Sequence, residues 1–77
     1  MEIKVLGGGC KSCEKMLKFT KEAVSELGID AQVQYITDMD QIMQAGVMST
    51  PALIIDGVIK STGRVVKTKE IKKMIEG

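Results

Sequence analysis

The sequence predicts an α/β fold in the order β-α-β-α-β-β-α, with a four-stranded mixed sheet and helices on both faces. Three patterns carry this expectation. A long stretch with apolar residues every three or four positions separates two short runs, which is the layout of a β-α-β unit. Ala52 to Ile55 is apolar without a break, as in a strand covered on both faces. Asp56-Gly57 follows it directly and is a strong two-residue hairpin signal.

Glu2 to Leu6 reads as the first strand and ends in Gly7-Gly8-Gly9, a flexible hinge. A helix is expected from Lys11 to Leu27. Cys13, Leu17, Thr20, Val24 and Leu27 share one stripe, which Met16 and Ala23 widen. Gly28 is placed to stop this helix as its left-handed cap. Ile29 to Ile36 reads as the second strand, with Ala31, Val33 and Tyr35 alternating with Asp30, Gln32 and Gln34. Tyr35 is expected half-buried.

Thr37 or Asp38 caps a short helix to Ala45, and Asp38 with Gln41 resembles a capping box. Met39, Ile42 and Met43 give it an apolar stripe, and Gly46 ends it. After the buried strand and hairpin, Val58 to Thr62 returns antiparallel, with Lys60 and Ser61 suited to an edge. Thr68 is placed to cap a last helix. Ile71, Met74 and Ile75 form its buried stripe, while Lys69, Lys72 and Lys73 stay wet.

Size and composition bound the function. The 77 residues make one domain, 1–77. A chain this short buries roughly 60% of its unfolded surface, so its core is marginal. Apolar residues are 44% and aromatics only 3%, so aliphatic side chains and six methionines must fill the interior. Met16, Met39, Met43 and Met74 are expected to do so, with Met48 exposed near Pro51. The formal net charge is +1, from 11 basic and 10 acidic residues. That balance argues against a nucleic-acid partner. No apolar run approaches the ~18 residues of a membrane helix, and the first residues lack the features of a secretory signal. The expected setting is cytoplasmic, with no membrane partner.

Cys10 and Cys13 are the only cysteines, and there is no histidine. They stand where the first strand hands over to the helix. A helix N-terminus lowers a thiol pKa, because unpaired N–H groups stabilise the thiolate. Cys13 lies about one turn further on, on the core stripe, and should be more buried and less acidic. Two roles follow. Cys10 attacks a partner disulfide, and Cys13 resolves the mixed disulfide. A lone C-x-x-C is a modest signal, but its place at the first helix of a β-α-β pattern sharpens it. Gly7-Gly8-Gly9 lacks the Gly-Lys-Ser/Thr ending of a phosphate loop.

Pro51, the only proline, follows Ser49-Thr50 and precedes the buried strand. With the C-x-x-C at the first helix, this arrangement resembles the thioredoxin/glutaredoxin superfamily over nearly the whole chain. It is most similar to a small thioredoxin-like group found in archaea and bacteria, called redox-active disulfide protein 2. The shared features are Gly-x-Gly-Cys-x-x-Cys, Met39-Asp40-Gln41-Ile42, the proline, Asp56-Gly57 and Gly63-Arg64. The resemblance implies a minimal thioredoxin fold and a thiol-disulfide oxidoreductase. It assigns Cys10 as nucleophile, Cys13 as resolving thiol and Pro51 as a cis-proline. Thr50 would offer its backbone to an extended substrate segment. Gly9, Lys11 and Ser12 would join in substrate binding. The sequence departs from ordinary thioredoxin in having Gly9 for a tryptophan and Lys11-Ser12 for Gly-Pro.

The expected partners are disulfide-containing proteins and an electron donor resembling thioredoxin reductase. No cofactor is expected, and the chain is expected to be a monomer. Two other functions fit the residues. One is a soft-metal module holding copper or zinc on the two thiolates. Metallochaperones of that kind follow a β-α-β-β-α-β order, with a hairpin directly after the first helix. The other is a redox-regulated binding domain without turnover.

Overall fold

The computed structural model describes residues 1–76. Among these, four strands and three helices follow the predicted order: β1 (Glu2–Leu6), α1 (Lys11–Leu27), β2 (Gln32–Ile36), α2 (Met39–Gln44), β3 (Ala52–Ile55), β4 (Val58–Thr62) and α3 (Thr68–Glu76). The strands form one sheet in the order β2-β1-β3-β4. β1 and β2 are parallel and joined through α1, while β3 is antiparallel to both β1 and β4. This is the mixed sheet that the sequence predicts. The metal-module alternative needed a hairpin right after the first helix, and β2 and α2 stand there instead.

The period-two alternation of the central strands sorts the core into two layers. Ile3 and Val5 of β1, with Leu53 and Ile55 of β3, pack against Met16 and Ala23 of α1 and Ile71 of α3. Leu6, Ala52 and Ile54 point the other way, onto Ile42 of α2 and Val47. Every residue of β3 is buried, as expected of a strand covered on both faces. The Asp56-Gly57 hairpin turn has both central residues at positive φ, 49° and 82°, which matches a type I′ turn.

Several details differ from expectation. The ladder of β2 starts at Gln32 rather than Ile29, because β1 offers partners only for 32–36. The buried line of α1 is Cys13, Met16, Thr20 and Ala23, with Leu17, Val24 and Leu27 on its flanks. The helix packs against both the sheet and α3 on one face of the sheet, which brings Met16 and Ala23 to the centre. The buried Thr20 hydroxyl donates to the Met16 carbonyl at 2.8 Å.

Met39 and Met43 do not fill the core; they are 61% and 71% exposed. Six residues make under two turns, so α2 can lay only Ile42 fully on the sheet. Asp38 caps it through the Asp40 amide, at 3.0 Å, rather than as a reciprocal box. Ser61 is buried, since on β4 it sits opposite Leu53 and shares its inward face. Thr68 does not cap α3. The first helical bond runs from the Ile71 N–H to the Lys67 carbonyl at 3.0 Å. The Thr68 hydroxyl instead crosses to Glu22 of α1 at 3.0 Å. Lys72 is half-buried and paired with Glu26 of α1 at 2.9 Å. Both contacts tie α3 to α1, and the Lys72 pair accounts for its being less wet than its neighbours.

Candidate active site

The end of β1 and the start of α1 assemble the site. Cys10 is the N-cap of α1, with extended backbone at φ −76° and ψ 166°. Its carbonyl accepts the first helical bond, from the Glu14 N–H at 3.0 Å. Its sulfur accepts from the Cys13 N–H at 3.3 Å, so a thiol fills the place of an N-cap oxygen. The two sulfurs are 2.7 Å apart, and the cysteines are not bonded. A disulfide of about 2.05 Å is within reach by side-chain rotation.

The two thiols differ sharply in environment. Cys10 is exposed and Cys13 is fully buried. The Cys13 thiol hydrogen bond, followed by the Cys13 backbone N–H, holds the Cys10 pKa below that of an ordinary thiol. Burial, followed by the bond to Cys10, pushes the Cys13 pKa up. Each cause favours charge on the outer sulfur and a proton on the inner one.

Gly7 makes the inner position possible. A Cβ built on Gly7 would lie 2.6 Å from the Cys13 Cβ and closer still to its sulfur. The Cys13 side chain thus occupies the space that any other residue at position 7 would fill. The sequence alone suggests only a hinge at Gly7-Gly8-Gly9. Only Gly9 of the three has positive φ, at 84°. The sequence carries no local sign of the Gly7 role, which depends on how α1 packs back over β1.

The other expected site residues lie at the same end of the sheet. Leu6 pairs with Ala52, so the next residues, Gly7 and Pro51, stand side by side beyond the ladder. The Thr50–Pro51 peptide bond is cis. Pro51 is buried, and its carbonyl accepts from the Gly63 N–H at 3.0 Å. Thr50 is exposed, as are Gly9, Lys11 and Ser12. Met48 is 99% exposed, two residues before Thr50. Tyr35 is half-buried, as expected, but nothing in the sequence points to a part for it in the site. The hydroxyl of Tyr35, on β2, is buried without a hydrogen-bond partner among the described residues.

Residues 1–76 match the family model described as thioredoxin domain. The chain belongs to the thioredoxin family. A protein named thioredoxin from Methanothermobacter thermautotrophicus is 47% identical over 75 residues, covering 97% of each chain. Another thioredoxin, from Methanocaldococcus jannaschii, is 36% identical over 74 residues, covering 96% of this chain and 85% of its own. Thioredoxin membership supports thiol-disulfide oxidoreductase chemistry in general and does not favour the metal-binding alternative. No helix among the described residues is long and apolar enough to cross a membrane.

Proposed function

We propose that this chain reduces or exchanges disulfides in partner proteins, with Cys10 as nucleophile and Cys13 as resolving thiol. The observation that carries the proposal is the pairing, at 2.7 Å, of an exposed sulfur whose surroundings lower its pKa with a buried one whose surroundings raise it. The Cys10 thiolate attacks one sulfur of a substrate disulfide. The substrate S–S bond breaks, and its other sulfur leaves with the electron pair and takes a proton from water. Cys13 then loses its proton to solvent and attacks the Cys10 sulfur of the mixed disulfide. The second substrate sulfur departs as a thiolate. The substrate has gained two electrons, and the chain holds a Cys10–Cys13 disulfide. A dithiol donor of the reductase type restores it by the reverse exchange.

Gly9, Lys11 and Ser12 surround the nucleophile and meet the substrate first. Thr50 presents its backbone to an extended substrate segment, beside the buried ring of Pro51. Met48 adds an adaptable apolar contact next to it. The chain acts as a single domain, 1–77, and as a monomer.

Insulin reduction with dithiothreitol as donor tests the proposal. Wild type is expected to turn over and Cys10→Ser to lose activity to the uncatalysed rate. Cys13→Ser is expected to accumulate a mixed disulfide at Cys10, visible by intact mass. Full activity in Cys10→Ser would refute the assignment. A reversible Cys10–Cys13 disulfide without turnover would favour a redox-regulated binding domain.

A further inference from the structure

Two buried hydroxyls have no hydrogen-bond partner among the described residues, those of Tyr35 and Ser61, and the mechanism above uses neither; Tyr35 is the one on the face that α1 covers. Tyr35 pairs with Val5 across the parallel ladder of β2 and β1. Its ring packs with the α1-side core that includes Val5 and Met16. Gly7, just past the end of β1 and two residues after Val5, lies directly under the Cys13 side chain. The ring therefore stands on the face that α1 covers, one strand from the seat of Cys13. Its hydroxyl is shut off from solvent and has no hydrogen-bond partner among the described residues. A buried donor without a partner costs about 1–3 kcal/mol, which makes an idle hydroxyl hard to account for.

We propose that the Tyr35 hydroxyl donates a hydrogen bond to the Cys13 sulfur when that sulfur carries charge. This rests on the exchange reaction proposed above. Cys13 is a thiolate at two moments: just before it attacks the mixed disulfide, and just after an incoming thiol opens the Cys10–Cys13 bond and Cys13 leaves. In the second step the incoming thiolate bonds to Cys10. The Cys10–Cys13 bond breaks, and the electron pair departs on Cys13. Cys13 is fully buried, so that charge is poorly solvated where it forms. Tyr35 meets it with an O–H and keeps its own proton, so Cys13 later takes a proton from solvent.

The electrostatics agree. Burial, followed by the charges of Cys13, Glu14 and Cys10, raises the Tyr35 pKa and keeps the phenol protonated. Those three groups come from α1 and its cap. The facing neighbours on the sheet, Val5 and beyond it Leu53, are apolar. The Gly9 backbone acts in the opposite sense and lowers the phenol pKa, the smallest of these influences.

Tyr35→Phe removes the donor and keeps the ring. In the Cys10→Ser background, alkylation of Cys13 as a function of pH is expected to shift its midpoint upward. In the Tyr35→Phe protein with both cysteines, dithiothreitol is expected to open the disulfide roughly fivefold more slowly, the scale of one net hydrogen bond. A purely structural tyrosine would change stability and leave both readouts in place. Because Tyr35 is the only tyrosine and there is no tryptophan, a second measurement is possible with Tyr35 left in place. In Cys10→Ser, tyrosine fluorescence should change with the same pH midpoint as Cys13 alkylation. An unchanged Cys13 midpoint and opening rate in folded Tyr35→Phe, or fluorescence blind to Cys13 ionisation, would overturn the proposal. None of these readouts uses a protein substrate, so failure here is separable from failure in insulin reduction.

Discussion

At the scale of single residues, the site depends on what stands beneath the sulfur as much as on the sulfur itself. Gly7 leaves the volume that Cys13 fills. Gly7→Ala places a methyl group there, and the backbone on both sides must move. We expect Cys13 to be displaced outward and to be alkylated at neutral pH at a rate nearer that of Cys10. Overpacking is expected to remove about 1–3 kcal/mol of stability. Peptide mapping after brief alkylation checks this, and an unchanged protection of Cys13 would contradict it. The cysteines were legible in the sequence, because an N-cap position and a core stripe are local patterns. Gly7 was not, because glycine before a helix has a local explanation as a hinge. Its actual reason is a contact made only when α1 folds back across β1.

At the scale of elements, helix and strand identities followed from periodicity, and the errors gathered at their ends and faces. α1 runs from Lys11 to Leu27 as its stripe indicated, with Gly28 left-handed at φ 64° behind it. A stripe gives a helix its period but not its rotation, and α3 decides which members lie deepest. That is why Met16, read as a flanking residue, lies at the centre. It also takes on a polar task that no sequence pattern displays. Its sulfur accepts a hydrogen bond from the buried Val66 N–H at 3.2 Å, on the segment entering α3. Met16→Leu preserves volume, a change that alone costs under about 1.5 kcal/mol. It also strands the Val66 N–H, which adds about 1–3 kcal/mol. We expect a total loss of about 2–4 kcal/mol by urea denaturation at unchanged m. A loss below about 1.5 kcal/mol would show that the sulfur is not serving as acceptor. The opposite error occurred at α2, where Met39 and Met43 suggested core and proved exposed. A helix of under two turns has too little length for a stripe to identify its buried face.

At the scale of the whole molecule, the fold uses its limited core to hold one sulfur out and one in. The parallel β1–β2 pair and the α1 crossover bring the N-terminus of α1 to the same edge as the β3 entrance. α3 closes the far side of α1 through Ile71, Lys72 and Thr68. Element order, the hairpin and the two-sided burial of β3 were all legible, because each rests on local composition. The burial of the Tyr35 hydroxyl and the Met16–Val66 contact were not, because they depend on segments distant along the chain. The separation of the two sulfurs is therefore a property of the assembled layers. α1 presents Cys10 to water at its cap, while β1 and the packing over Gly7 withdraw Cys13.

The direct test of that separation is alkylation of the reduced wild-type protein across a pH series, with each cysteine quantified by peptide mass. Cys10 should react first, with a midpoint below the ordinary thiol value of about 8.5, and Cys13 should stay protected until well above it. Two cysteines reacting at one rate, both with an ordinary thiol midpoint, would contradict the account.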